Sequence, residues 1–431
     1  MTKPRAQNET IFVCQHNWHW WLLFVSILLA NGCVDIPSAS NFDERQKPPA
    51  QVSERLVASN RYSEDSLNSG VSGLPNPFSV EQRNDLEISA NSYSLNSDTR
   101  PPILAIQTKD TVAFGVPIGL FSDQTLLMRN DGAIQRINNS DVLRQAVLQD
   151  RFRSIDRTEL AQQLRSEFGM KYLVRNEAPY LIVARSEHME AWAQRFRSIQ
   201  HSFKLYCRTH GLTTREIEFP LVAIVFGSRI EFERYAAREG TKLPEFCVGY
   251  YFTDSNRILL YESPNSTSME TQMTICHEAT HQLAFNTGLH QRRAESPLWL
   301  VEGLATMFES PMLSGLQSRD GKSLWPSSRK KTWQNLSKRP EAIQRVVANL
   351  IHNDLAFESD FDNAYSVSWA MTTFLSQRRS QQFEKYLNRI GGLPPFQSYD
   401  AAERVADFQR VFGTDPKLLT NKMITYLDSL Q

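Results

Sequence analysis

Apolar residues are unevenly spaced along this chain, and their spacing divides it into segments of different kinds. From residue 34 to about 100, Ser, Asn, Asp, Glu, Gln and Pro dominate and apolar residues stand singly without a sustained period. Such a stretch predicts a disordered tether. Between 101 and 165 short β-type runs appear at 103–106, 112–120 and 126–128, with Asn130-Asp131-Gly132 as a hairpin turn before Ala133-Ile134. They predict a small β-rich unit. Residues 180–184 and 221–226 are continuous apolar runs of the kind found in buried strands, whereas 188–210 and 229–238 repeat at helical spacing. Residues 248–252, the turn Asp254-Ser255-Asn256 and residues 257–261 predict a hairpin. The segments around 331–350, 365–377, 381–390 and 416–430 predict helices. The whole reads as an α+β fold: a domain over 166–431 with a mixed sheet and a helical C-terminal lobe, preceded by the small β unit.

Within that domain, Ile275, Cys276, Leu283, Ala284 and Phe285 surround His277-Glu278-Ala279-Thr280-His281 and make a helix apolar enough to lie in a core. Burying two His and a Glu without partners is costly. Residues four apart share a helix face, so both imidazoles can reach one metal ion. Asn286-Thr287-Gly288 supplies the stop signal for this helix. A tetrahedral catalytic zinc site needs a third protein ligand and an open position for water. Glu302 is the candidate, because Leu300, Leu304, Ala305 and Phe308 recur around it at helical spacing and a carboxylate in so apolar a stretch calls for a reason. Gly303 beside it is expected to let the backbone approach the first helix closely. The competing reading makes Glu302 a helix-start cap or the partner of an Arg.

At 431 residues and 41% hydrophobic content the chain can bury a full core. Its 47 basic and 47 acidic residues leave no net field, which argues against nucleic acid as a partner. No phosphate-cradling Gly-rich motif and no repeat is present. Lys3 and Arg5 precede an apolar stretch from Trp20 to Ala30, too short for a membrane span but suited to an export signal over residues 1–33. Leu29-Ala30-Asn31-Gly32-Cys33 resembles a lipoprotein cleavage box, which would lipidate Cys33 and tether the protein to a membrane of the cell envelope. Cleavage to a soluble secreted form, or retention as an uncleaved anchor, are the alternatives. Cys14 and Cys33 belong to this region. Of the remaining three, Cys276 points away from the His face and reads as a core thiol, and a Cys207 to Cys247 disulfide is conceivable in an oxidising compartment. His188, His290 and His352 have no spacing that recommends them and are expected to be surface or satisfied polar residues.

The motif and the Glu that follows it resemble the gluzincin clan of zinc metallopeptidases, over roughly the second half of the chain. More narrowly, HEATHQLAFNTGL at 277–289 and PLWLVEGLATMFES at 297–310 are similar to an uncharacterised family of secreted bacterial proteins with motifs of this type. The resemblance implies a zincin-like domain in which His277, His281 and Glu302 hold Zn2+ and Glu278 is the general base. It also implies a Tyr hydroxyl over the metal, for which Tyr365 stands at about the right distance, and an edge strand that pairs with an extended substrate. That strand could equally be a purely structural edge. The metzincin pattern does not fit, since Ala284 and Thr287 stand where it needs Gly and His. Thr306 occupies the place of the Asp that thermolysin-like enzymes carry four residues after the ligand Glu, which leaves the partner of one His open. The implied function is hydrolysis of a protein or peptide substrate outside the cytoplasm. A non-catalytic envelope scaffold retaining the fold is the alternative.

Overall fold

The computed structural model describes residues 101–430 apart from 244–246, 263–268, 315–323 and 414. The export segment with Cys33 and the polar stretch 34–100 lie outside the described residues. Among those described, no helix is long and apolar enough to cross a membrane.

Alternating side chains between 102 and 151 build an antiparallel sheet of five strands: β1 (Pro102–Gln107), β2 (Val112–Leu120), β3 (Gln124–Met128), β4 (Ile134–Asn138) and β5 (Arg144–Arg151), in the order β4-β3-β2-β1-β5. The period of two sends Ile103, Ala105, Phe114 and Val116 to one small core and Leu104, Ile106, Ala113 and Leu127 to another. The predicted turn is present, with Gly132 at φ +80° and the Asp131 carboxylate accepting from the Ala133 N–H at 3.1 Å.

The second sheet is mixed, in the order β6 (Leu173–Glu177), β7 (Tyr180–Ala184), β8 (Leu221–Phe226), β10 (Arg257–Tyr261) and β9 (Gly249–Phe252). The continuous apolar runs form its parallel centre, β7 and β8 buried along their whole length, and antiparallel strands close both edges. One face is covered by α1 (Arg157–Phe168) and α3 (Arg229–Arg238). Thus α1 packs on this sheet through Leu160, Ala161 and Leu164, although it falls inside the stretch expected to belong to the small β unit. The other face receives α2 (Met189–Thr209), whose Trp192, Phe196, Ile199, Phe203 and Tyr206 form one buried stripe, and α4 (Met269–Asn286), the helix of the HExxH motif. The protein is therefore α+β.

Helices α5 (Leu298–Met307), α6 (Pro311–Ser314), α7 (Ser327–Leu336), α8 (Pro340–His352), α9 (Ala356–Ser359), α10 (Phe361–Arg378), α11 (Ser380–Gly391), α12 (Ala401–Phe412) and α13 (Pro416–Asp428) complete the C-terminal region. The helical run expected around 331–350 is two helices, because Pro340 lacks an N–H and opens a new helix at its first position. Helix α12 went unpredicted although Asp400 and Glu403 form a capping box and Gly413 takes the left-handed conformation at its end. Cys207 and Cys247 are separate thiols: one faces the α2 core and the other the α1 and α3 core, on opposite sides of the sheet.

Helix α10 is buried from Ala364 to Ser376 and lies directly on α5. Gly303 makes this possible: a Cβ there would stand 2.2 Å from Thr372 Oγ1 and 2.5 Å from the Ser368 carbonyl oxygen. The glycine next to Glu302 thus admits α10 and not, as expected from sequence, α4; neighbouring helical residues diverge by about 100°, so Gly303 and Glu302 face different partners. Gly303→Ala should cost about 1–3 kcal/mol through overpacking, of which the roughly 1 kcal/mol helix-propensity gain returns only part. Thermal denaturation should show a lower midpoint for this variant, and an unchanged midpoint would contradict the close-packing assignment.

Candidate metal centre

Helix α4 reaches the site because its apolar residues seat it in the core and three side-chain amides lock its register. Gln282 Nε2 donates to the Val222 carbonyl at 3.2 Å and to the Asn256 carbonyl at 2.7 Å. The amides of Asn256 and Asn286 pair at 2.8 and 2.9 Å, and the Tyr251 hydroxyl donates to Asn256 Oδ1 at 2.8 Å. Asn256, at φ +58° in the β9–β10 turn and 2% exposed, ties the hairpin to the helix. The small sheet steadies the same turn: Ile134 N–H donates to the Asp254 carbonyl, and Arg292 donates to the carbonyls of Gly132 and Thr253, each at 2.8 to 2.9 Å.

On this frame His277, His281 and Glu302 come together, their ligand atoms all within 4.8 Å of one another and every residue buried. Among the described residues no other trio of His, Cys, Asp or Glu does so. His277 Nε2 lies 3.0 Å from His281 Nε2 and 3.2 Å from Glu302 Oε2, and Glu302 Oε1 is 3.3 Å from His281 Nε2. Glu302 is the fifth residue of α5 and faces two imidazoles, so it is neither a helix-start cap nor an Arg partner.

The set of donors fits a metal ion. Glu309 Oε1 lies 2.8 Å from His277 Nδ1, and a proton on Nδ1 in that bond leaves an Nε2 lone pair aimed at the cluster. Glu302 Oε1 is buried with no hydrogen-bond partner among the described residues. Lone pairs of two imidazoles and a carboxylate then converge on one point, an arrangement that repels itself without a cation. The ionisation of these side chains shows the same demand. Burial alone would push the His277 pKa down, yet the bonds to Glu302 and Glu309 raise it from 6.5 to about 10. Burial likewise opposes ionisation of Glu302, but His281 and His277 hold its carboxyl far below the usual range.

Glu278 projects beside the cluster and is 3% exposed. Its Oε2 accepts from the Tyr251 backbone N–H at 2.9 Å, on the side of β9 that faces away from β10. Burial raises its pKa against the opposing pull of His277 and His281. Tyr365 reaches the site from α10, its ring centroid 6.5 Å from that of His277. Burial, then the Glu302 carboxylate, hold its phenol well above the ordinary range, so the hydroxyl keeps its proton. The five residues singled out in the sequence are therefore neighbours. Cys276 turns away from them toward Arg195, which also donates to the Gln272 carbonyl.

Sequence reasoning missed Glu309, two turns beyond Glu302 and just past the end of α5. It answers the question left by Thr306, whose buried hydroxyl has no hydrogen-bond partner among the described residues. His188 and His352 lie outside the site, bonded to Glu262 and Asn353. His290 departs from expectation: it is 2% exposed, edge-on to Phe285, and neither ring nitrogen has a hydrogen-bond partner among the described residues. Burial, followed by the nearby His281, lowers its pKa to about 3 and keeps it neutral. A cavity of about 410 Å³ between Ile155, Pro179 and Pro220 contains none of these residues.

A family model described as a protein of unknown function (DUF1570) matches residues 271–397. The matched segment carries His277, Glu278, His281, Glu302, Glu309 and Tyr365. No curated protein matches the chain.

Two outcomes follow from the geometry. Glu309→Gln, which keeps the shape but weakens the hold on His277, should lower metal affinity about 10- to 100-fold in a chelator competition without changing the one-to-one stoichiometry; equal affinity would remove Glu309 from the site. A metal must also displace the proton that His277 holds below about pH 10. Apparent metal affinity should therefore weaken as pH falls, by up to about tenfold per unit for one proton, and competition titrations at two pH values would read the slope.

Proposed function

We propose that this chain is a zinc-dependent peptidase with a zincin-like domain, acting outside the cytoplasm and held at a membrane through its N-terminal segment or a lipid on Cys33. The observation that carries the reading is the convergence of His277, His281 and Glu302 with a separate buried carboxylate, Glu278, beside them. A site built only for structure has no use for that second acid.

His277, His281 and Glu302 would hold the ion, which when bound supplies a Lewis acid for the scissile carbonyl and acidifies water. Glu309 keeps the His277 ring in one tautomer and orientation. In Glu278, the Tyr251 N–H occupies Oε2 and leaves Oε1 to take a proton from the attacking water and pass it to the leaving amine. Its raised pKa suits that exchange, since a base nearer neutrality both accepts and returns the proton. Tyr365 keeps its proton in a dry pocket and serves as hydrogen-bond donor to the oxyanion. Strand β9 is a sheet edge, and an extended substrate laid along it would place its backbone beside Glu278.

The test uses the zinc-loaded protein and a mixed peptide library read by mass spectrometry. Wild type should cleave. Glu278→Gln should bind zinc stoichiometrically and lose turnover by about 10²-fold or more, in line with general-base contributions. Zinc binding without cleavage by wild type would favour a non-catalytic binding role, and no zinc would overturn the ligand set. Tyr365→Phe should lower kcat about 10²-fold with zinc retained, as for other single oxyanion donors; undiminished kcat would remove Tyr365 from the chemistry.

A further inference from the structure

Arg329 is 4% exposed and stands on the first turn of α7. Its guanidinium carbon lies 4.8 Å from the Tyr365 ring centroid and 5.9 Å from that of Phe361. Among the described residues no carboxylate pairs with it, and its Nε is buried without a hydrogen-bond partner. The other arginine buried to this degree, Arg404, pairs with Asp354 at 2.6 Å. Arginine does not deprotonate in proteins, so a guanidinium taken out of water is costly unless an anion meets it. The aromatic faces offset part of that cost but supply no acceptor for its N–H groups.

The placement is fixed. Trp325 packs on Trp369 of α10 at 4.5 Å, Trp333 of α7 is fully buried against the same ring, and Ser366 donates to the Arg329 carbonyl. The guanidinium is thus held on the α10 helix that presents Tyr365, and both it and the His277 ring lie close to the Tyr365 ring.

We propose that Arg329 is the docking point for a carboxylate of the peptide substrate, so that the enzyme selects peptides that place an acid a short distance from the bond to be cleaved. The inference rests on the peptidase reading above. The Tyr365 centroid lies 6.5 Å from that of His277 and 4.8 Å from the guanidinium, so the guanidinium and the imidazole are at most about 11 Å apart, within reach of about three extended residues at about 3.4 Å each. A free C-terminal carboxylate at that distance makes the protein a trimmer of short C-terminal pieces; an Asp or Glu side chain there makes it an acid-specific endopeptidase. Both use the same fork-shaped recognition of a carboxylate.

The experiment measures binding as well as turnover. Full-chain Glu278→Gln, zinc-loaded, is titrated with four versions of one peptide: free acid or amide at the C-terminus, each with or without an internal Glu, and binding is read by calorimetry. The carboxylate that docks at Arg329 should improve affinity at least about tenfold over its neutral counterpart, as expected for a charge-assisted bond. Arg329→Gln in that background should lose the difference, and Arg329→Lys, which keeps the charge but not the fork, should retain part of it. Zinc content of each variant checks that the site is intact. If only the free acid gains, the protein trims C-termini; if only the internal Glu gains, it is acid-specific within chains. Equal affinities across the four peptides, or a difference that survives in Arg329→Gln, would overturn the assignment. A protein that binds carboxylate peptides in this way but cleaves none in the wild type would preserve the Arg329 site and refute the peptidase reading.

Discussion

A carboxylate that is 1% exposed, set against two imidazoles with nitrogen and oxygen atoms 3.0 to 3.3 Å apart, is the constraint around which the second domain is built. Such a cluster in an apolar interior is stable only with positive charge at its centre. The fold accepts this demand instead of relieving it. No arginine or lysine side chain reaches Glu302 among the described residues, and Glu309 adds a further acid behind His277. What remains to neutralise the group is a proton or a metal, and the Nδ1 bond to Glu309 prepares the imidazole for the second.

Holding these groups together requires three helices and a strand to agree to within a fraction of an ångström. Helix α4 is registered by Gln282 and Asn286 on the Asn256 turn, and the small antiparallel sheet clamps that turn through Ile134 and Arg292. Helix α5 is registered on α10 at Gly303, where backbone meets backbone and hydroxyl. Because α10 also presents Tyr365 and carries the tryptophan cluster that seats Arg329, one close helix contact sets Glu302, Tyr365 and Arg329 relative to each other. The small β unit thus has a mechanical part to play even though it holds none of the site's chemistry.

How much of this was legible in the sequence follows from the range of each signal. The central strands and the HExxH helix were readable because apolar continuity and helical period are local, and Glu302 because a lone carboxylate in an apolar helix is conspicuous. Glu309 was not, since it lies beyond the end of α5 and its meeting with His277 is a tertiary contact 32 residues apart in the chain. The partner of Gly303 was misread because the sequence shows that a close contact exists and not with which helix. Arg329, in a run that reads Ser-Ser-Arg-Lys-Lys, looks like surface, yet it is buried against the rings of Phe361 and Tyr365. His290 was dismissed for want of spacing, yet the Gly288 turn swings it under Phe285.

Strand β9 links the mixed sheet to the site. Its pairing with β10 alternates, so that the Tyr251 N–H points outward, and that donor is taken by Glu278. The Glu278 carboxylate therefore occupies one rung on the outer side of the sheet's last strand. An extended segment laid along that strand would meet the Glu278 carboxylate in place of the Tyr251 N–H. Strand and carboxylate depend on each other: changing the strand's register would take the N–H away from Glu278, and removing the carboxylate would leave a buried N–H unsatisfied.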